Sequence, residues 1–317
     1  MYKTRYGCKR MATIVFNQIV IMFIILILGV ICSKTGIITE QMIERLSVLL
    51  MQVVSPVIIF SSYQSDFSKD RLGKLLWAFA LSALAHIIQI VVSHLLIRKK
   101  RPDSEVERLS AIYSNCGFFG IPLVWGVFGK EGVFYLTAYM TVFSLFFWTH
   151  GVLVVTGSTT KKQMAKNLLS PAIIGVFAGL IFFLAQIRLP ALVLEAMDLV
   201  GDLNTPLAML VAGASVAQSG GINGFKELRL YRTTAIRLIV VPIAVVAAFS
   251  FIPVDPMILL VIIMAAAAPS GASNTMLAIR FGRNGAYASR IFVVTTLLAI
   301  VTIAPIVALA QMMGIVV

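Results

Sequence analysis

The sequence predicts an all-α integral membrane protein, ten transmembrane helices arranged as a 5+5 inverted repeat whose fourth and ninth helices are broken. Three observations predict it. Hydrophobic residues make up 59% of the 317-residue chain and charged residues 12%, with a mean hydropathy of +0.96, far outside the composition of soluble globular domains. Apolar runs long enough to cross hydrocarbon, about 20 residues each, recur ten times along the chain. Two of these runs contain residues ill suited to continuous helix in lipid: Tyr113-Ser-Asn-Cys-Gly-Phe-Phe-Gly-Ile-Pro122 in the fourth and Ala268-Pro-Ser-Gly-Ala-Ser-Asn-Thr275 in the ninth.

Taken in order, the spans are 14–32, 42–62, 73–97, 106–128, 132–156, 170–187, 192–218, 232–251, 256–280 and 287–313. Residues 1–13 form an N-terminal tail, polar and basic up to Arg10, and Met11 is a plausible start of translation. The first run is too long for a signal peptide, lacks a small-x-small cleavage site and is followed by further spans, so it stays in the chain. Basic residues concentrate in the loops after odd-numbered spans, namely Lys34 and Arg45; Arg98 to Arg101 and Arg108; Lys161, Lys162 and Lys166; Lys226, Arg229, Arg232 and Arg237; and Arg280, Arg283 and Arg290. Loops after even-numbered spans carry only Lys69, Arg71, Lys74, Lys130 and Arg188. The positive-inside bias therefore places the odd loops in the cytoplasm and both termini outside the cell membrane. Lys3, Arg5, Lys9 and Arg10 oppose that orientation, and a start at Met11 would remove them.

A short cytoplasmic linker, 157–169, divides the chain into a first five-helix repeat, 14–156, and a second, 170–317. An odd number of spans per half inverts one half relative to the other. A weak internal likeness agrees: Val54-Ser-Pro56 in the second span matches Asn204-Thr-Pro206 in the seventh. The net charge of +13 lies in short clusters between apolar runs, with no basic, aromatic-interleaved face to follow a nucleic-acid backbone. Cys8, Cys32 and Cys116 lack metal-ligand spacing and form no disulfide frame. No cofactor is expected.

A proline inside a helix removes one backbone hydrogen bond, and flanking glycines let the chain leave helical geometry. Irregular backbone at membrane depth survives only where protein or a watery cavity surrounds it. Two broken helices in inverted repeats bring half-helix N-termini, with their partial positive charge and unpaired N–H groups, to an anionic ligand near the bilayer centre. The residues expected to line that site are Ser114, Asn115, Gly117, Pro122, Pro269, Ser270, Gly271, Ser273 and Asn274. Gln52, Ser62, Asn204 and Asp202 are candidates for the cavity wall or for coupling. Neither break holds an Asp or Glu, which favours an anion over a cation. His86, His94 and His150 read as polar packing residues, and Tyr113 and Tyr139 as packing residues. An enzyme is disfavoured: Gly271-Ala-Ser273 resembles the serine motif of rhomboid proteases, but no histidine base follows it, and Gly201-Asp202 lacks the second aspartate of an aspartyl dyad.

The stretch Asn115-Cys-Gly117-Phe-Phe-Gly120-Ile-Pro122, the second break and the five-plus-five layout resemble the auxin efflux carrier family, which includes plant PIN-type carriers and bacterial malate or malonate permeases. The resemblance covers essentially the whole chain. It implies a scaffold domain, an elevator-like transport domain, helices crossing at Pro122 and Pro269, an organic anion bound at the crossing, and a homodimer. The long cytosolic loop of the larger plant members is missing. The expected function is a secondary transporter of a small carboxylate. A Na⁺- or H⁺-coupled carrier of another solute and a non-transporting membrane receptor remain open alternatives.

Overall fold

Runs of Ile, Leu, Val and Phe this long must satisfy every backbone group internally, and the computed structural model does so with helices alone: among the described residues there is no strand. It describes residues 2–98, 101–157, 170–218 and 227–317, with backbone only for 2–10. The linker expected at 157–169 and the basic residues Lys99, Lys100, Lys161, Lys162, Lys166 and Lys226 therefore lie outside the described residues, apart from Gly157.

In chain order the helices are α1 Tyr2–Lys34, α2 Glu40–Leu49, α3 Ser55–Ser62, α4 Lys69–Leu96, α5 Ser104–Ile112, α6 Ile121–Phe146 and α7 Val152–Thr156. There follow α8 Pro171–Leu184, α9 Ala191–Asp202, α10 Asn204–Gln218, α11 Leu228–Ala235, α12 Val241–Phe249, α13 Pro256–Ala267, α14 Ala272–Arg280 and α15 Gly285–Met312. Single π-type turns link α2 to α3, α6 to α7 and α11 to α12, and a fourth, Cys116–Gly120, leads into α6. Helix α1 begins before the apolar run that predicts it and takes in most of the expected tail. Seven helical segments among the described residues are long and apolar enough to cross a membrane, and Pro171–Leu184 and Pro256–Ala267 are shorter apolar helices. One of the seven, Cys116–Thr156, is 41 residues long and turns at Gly129, whose φ of 61° and ψ of −149° belong to glycine's range.

Two packing groups emerge, joined where α1 also packs along α15. Helix α1 lies along α10, and α3 lies along α8 and α9. The α1–α10 contact needs glycine on both sides: a Cβ on Gly213 would stand 1.9 Å from the Leu26 carbonyl oxygen, and one on Gly29 would stand 2.4 Å from that of Leu210. Small residues let backbones approach this closely in membranes. The other group, α4–α7 and α11–α15, packs around α13, whose residues Ile258 to Ala267 are all buried. At about 1.5 Å per residue, the 12 residues of α13 reach about 18 Å, well short of the roughly 30 Å hydrocarbon core. It ends inside the protein. Outward-facing Ile24, Ile27 and Ile31 on α1, Leu76 and Leu95 on α4, and Phe177 and Ile181 on α8 form an exposed apolar belt, as a lipid-facing surface requires.

Charges collect at the two ends of the bundle. One end pairs Arg71 with Glu131, Lys74 with Asp255, Arg188 with Asp66 and Lys130 with Asp198. At the other, Glu107 is fully buried and accepts from Arg232 Nη2 at 2.6 Å and from Tyr287 Oη at 3.1 Å, tying α5, α11 and α15 together. Arg237 belongs to neither end. It was expected in a cytoplasmic loop, yet it sits in the π-type turn between α11 and α12 and is completely buried.

The glycine contact gives a direct test. Gly213→Val should lower stability by about 1–3 kcal/mol, the range for overpacking, read as a lower thermal midpoint in detergent. Gly73→Ala, whose Cβ would meet nothing within 4 Å, should leave the midpoint unchanged or slightly raised.

Candidate functional site

The two breaks meet and pair. Ser114 and Ser270 form an antiparallel bridge, in which the Asn115 N–H donates to the Pro269 carbonyl at 2.7 Å and the Gly271 N–H donates to the Tyr113 carbonyl at 3.1 Å. Each broken segment thus satisfies backbone groups the other has lost. The approach depends on Gly271, where a Cβ would stand 3.2 Å from the Ser114 carbonyl oxygen and 2.9 Å from Ser273 Oγ. Asn274 bolts the bridge: its Nδ2 donates to the Tyr113 carbonyl at 2.8 Å and to Ser270 Oγ at 3.0 Å. Its Oδ1 is buried without a partner. Asn115 works differently, accepting the Phe118 N–H on Oδ1 at 3.2 Å and so capping the turn that leads into α6.

The crossing is at Ser114 and Ser270, not at the two prolines. Pro269 sits beside it, but Pro122 lies farther along, just after the π-type turn Cys116–Gly120, a place where an interrupted helical hydrogen-bond ladder is commonly found. The two breaks are therefore not equivalent residue by residue: one proline precedes its crossing serine and the other follows it.

Helices α5 and α13 end at this crossing with their last carbonyls unpaired by any following turn. Arg237 fills that gap. Its Nε donates to the Ala268 carbonyl at 3.0 Å, and its Nη2 to those of Ala266 and Ala268 at 2.5 and 2.7 Å. Its Nη1 reaches the carbonyls of Ala111 and Ile112, both at 3.1 Å, and Gln89 Oε1 at 3.1 Å. One guanidinium thus closes the C-terminal ends of both half-helices, where the partial charge is negative. Each of these partners is a neutral oxygen, so the positive charge has no carboxylate against it. A hydrogen-bonded chain continues from Gln89 Nε2 to Tyr139 Oη at 3.1 Å and on to Ser114 Oγ at 3.2 Å.

The first turns of the other two half-helices, Cys116–Gly120 with α6 and then α14, begin at the same crossing and present their N-terminal, partially positive ends. The predicted residues gather here: Ser114, Asn115, Pro122, Pro269, Ser270, Gly271 and Asn274 are buried, and Gly117 and Ser273 are half-buried. The outlying candidates fare differently. Gln52 and Asp202 are exposed, and Ser62 turns its hydroxyl back to the Ile59 carbonyl at 2.6 Å. Asn204 is buried with both amide atoms unpaired, in a helix that touches the Cys116–Gly120 turn.

Sequence reasoning missed three participants. Arg237 was grouped with the basic residues before it, although the flanking Ile236 and Leu238 mark it as lying within a span. Gln18 of α1 donates from Nε2 to the Pro122 carbonyl at 3.3 Å and packs where a Cβ on Gly126 would be. Tyr139, read as packing, joins the crossing through its hydroxyl, while His86 is a packing residue as expected, 4.6 Å from the Tyr139 ring centroid.

A sequence profile described as "Membrane transport protein" matches residues 14–165 and again 155–307. The chain belongs to the auxin efflux carrier family. This is a family of membrane transporters and not of enzymes. An uncharacterized transporter of Methanothermobacter thermautotrophicus is 26% identical over 165 residues, 50% of this chain and 54% of that protein. Uncharacterized transporter MJ1031 of Methanocaldococcus jannaschii is 22% identical over 211 residues, 63% of this chain and 68% of that protein. The chain thus spans about half the length of the first of these relatives and about two thirds of the second.

Arg237 carries a stability prediction. Removing it strands several buried neutral oxygens, each costing about 1–3 kcal/mol when left without a donor, so Arg237→Met should lower the detergent melting midpoint sharply. Arg237→Lys, with fewer donors and no planar fork, should fall between wild type and Arg237→Met.

Proposed function

We propose that this protein is a secondary transporter, an efflux carrier of a small organic anion, working by elevator-like alternating access in the cell membrane. The observation that carries the reading is the crossing itself: two half-helix N-termini face one point, and the charge closing the opposite ends is a buried guanidinium balanced by neutral oxygens only. The net field there is positive. Because the guanidinium spends its donors on backbone and Gln89, it attracts a carboxylate without gripping it; the anion's direct donors are amides and the side chains of Asn115 and Ser270, while Asn274, whose Nδ2 donates to Tyr113 and Ser270, holds the crossing in shape. A site of this kind binds and releases, as a carrier must.

Ten spans follow if Ser104–Ile112 and the segment up to Gly129 are counted as a broken fourth, the helix after Gly129 as the fifth, and α13 with α14 as a broken ninth. The double match of the family profile supports the inverted repeat. In the elevator reading, the glycine-locked group of α1, α3 and α8–α10 is the scaffold and the group around α13 moves. A homodimer is taken from the family resemblance.

The same geometry weighs against sodium coupling at the crossing. The oxygens of Ala111, Ile112, Ala266, Ala268 and Gln89 are of the kind that coordinates a hard cation, and Arg237 already occupies them. Current should therefore follow a carboxylate jump and persist when sodium is replaced by choline. We expect solid-supported-membrane recordings on proteoliposomes, challenged with malate, malonate, lactate and indole acetate, to give negative charge movement for at least one carboxylate. Asn115→Ala and Asn274→Ala should each cut it by tenfold or more, with insertion intact. Currents that respond to sodium alone, or that survive both substitutions, would contradict the reading.

A further inference from the structure

Apart from Gln18, which reaches the Pro122 carbonyl, the polar contacts described between the two packing groups lie at one end. Lys130 follows directly after the Gly129 turn, at the tip of the group around α13. Its Nζ donates to Asp198 Oδ2 at 2.5 Å, and Asp198 belongs to α9 of the other group. The second carboxylate oxygen is held as well: Ser61 Oγ, at the end of α3, donates to Asp198 Oδ1 at 2.9 Å. About two helical turns along α6 from Lys130, the Thr137 hydroxyl shares a 2.6 Å hydrogen bond with Tyr63 Oη, and both residues are buried. The other described ion pairs stay on one side. Arg71–Glu131 joins α4 to α6, Lys74–Asp255 joins α4 to the start of α13, and those involving Glu105, Glu107 and Glu227 lie among α5, α11, α15 and the segments beside them.

We propose that Lys130, Asp198 and Ser61 form a latch that holds the moving group against the scaffold at this end of the bundle, sealing the Tyr63–Thr137 contact beneath it. The latch must part each time that end opens, so it sets how often the end opens. This rests on the alternating-access reading, but the contact itself is independent of what is carried. Lys130 and Asp198 side chains are 46% and 35% exposed, so water screens the pair. Partly exposed pairs of this kind shift an equilibrium modestly, by about two- to fivefold. A latch of that strength restrains without locking, which suits a step crossed on every cycle.

The test uses Thr137→Cys in the full chain in nanodiscs, where both faces meet reagent. The readout is the labelling rate with a membrane-impermeant maleimide, against the parent chain for the background from Cys8, Cys32 and Cys116. Lys130→Gln or Asp198→Asn should raise the rate about two- to fivefold. The charge swap, Lys130→Asp with Asp198→Lys, should return it toward the original value, and Lys130→Arg should keep it low. Arg71→Ala, which breaks a neighbouring pair confined to one group, should leave it unchanged. Single substitutions without effect, a swap that labels as fast as the singles, or an equal rise in Arg71→Ala would each overturn the latch. Labelling reads the latch and carboxylate current reads the carrier, so either can fail while the other stands.

Discussion

Backbone carbonyls that end in the middle of a membrane are the constraint from which the rest of this structure follows. A helix that stops at depth leaves its last carbonyls without partners, and hydrocarbon supplies none. Here two such ends, those of α5 and α13, converge on a single side chain, Arg237, whose fork reaches carbonyls on both. The paired strand-like segments at Ser114 and Ser270 satisfy the next groups along. Only once these costs are met can the opposite ends, the N-termini of α14 and of the turn before α6, be held open toward a ligand. The arginine, by this account, is structural first and electrostatic second. It makes the breaks tolerable, and because its partners are neutral it leaves their neighbourhood positive.

The packing around this core divides by residue size. Where α1 meets α10, Gly29 and Gly213 bring backbones into direct contact, an arrangement with little room to slide. Where the group around α13 meets α1 and α3, the contacts run through side chains, with Gln18 reaching the Pro122 carbonyl and Tyr63 reaching Thr137. Among the described residues, polar contacts between the two groups are few.

Much of this was legible in the sequence, for identifiable reasons. Both breaks announced themselves through Asn, Gly and Pro, because the three fall together within a few residues in the middle of an apolar run. The crossing partners Ser114, Asn115, Ser270, Gly271 and Asn274 fell out of the same reasoning. The place of the crossing did not: a proline signals that a helix is interrupted nearby, not which residue pairs across the gap, and Pro122 lies within a helical run that has already begun at Cys116. Arg237 escaped because only four residues separate it from Arg232, close enough to be counted with a loop, and no acidic partner advertises its burial. Glu107 escaped likewise at the other edge of a span. Gly129 shows the converse: the charged pair Lys130 and Glu131 marked a boundary between the spans expected at 106–128 and 132–156, and the chain turns there at a positive φ. Asp202, singled out because acids in spans are rare, is exposed at the end of α9.

The measurement that tests the central claim most directly asks whether a negative charge comes to rest at the crossing. Ser273, half-buried at the first turn of α14, can be replaced by cysteine and its alkylation followed with a small thiol reagent in the presence of carboxylates or their neutral amide analogues. The account predicts that a transported carboxylate slows modification in a saturable way, while its amide does not. Equal protection by acid and amide, or none by any carboxylate that drives current, would contradict it.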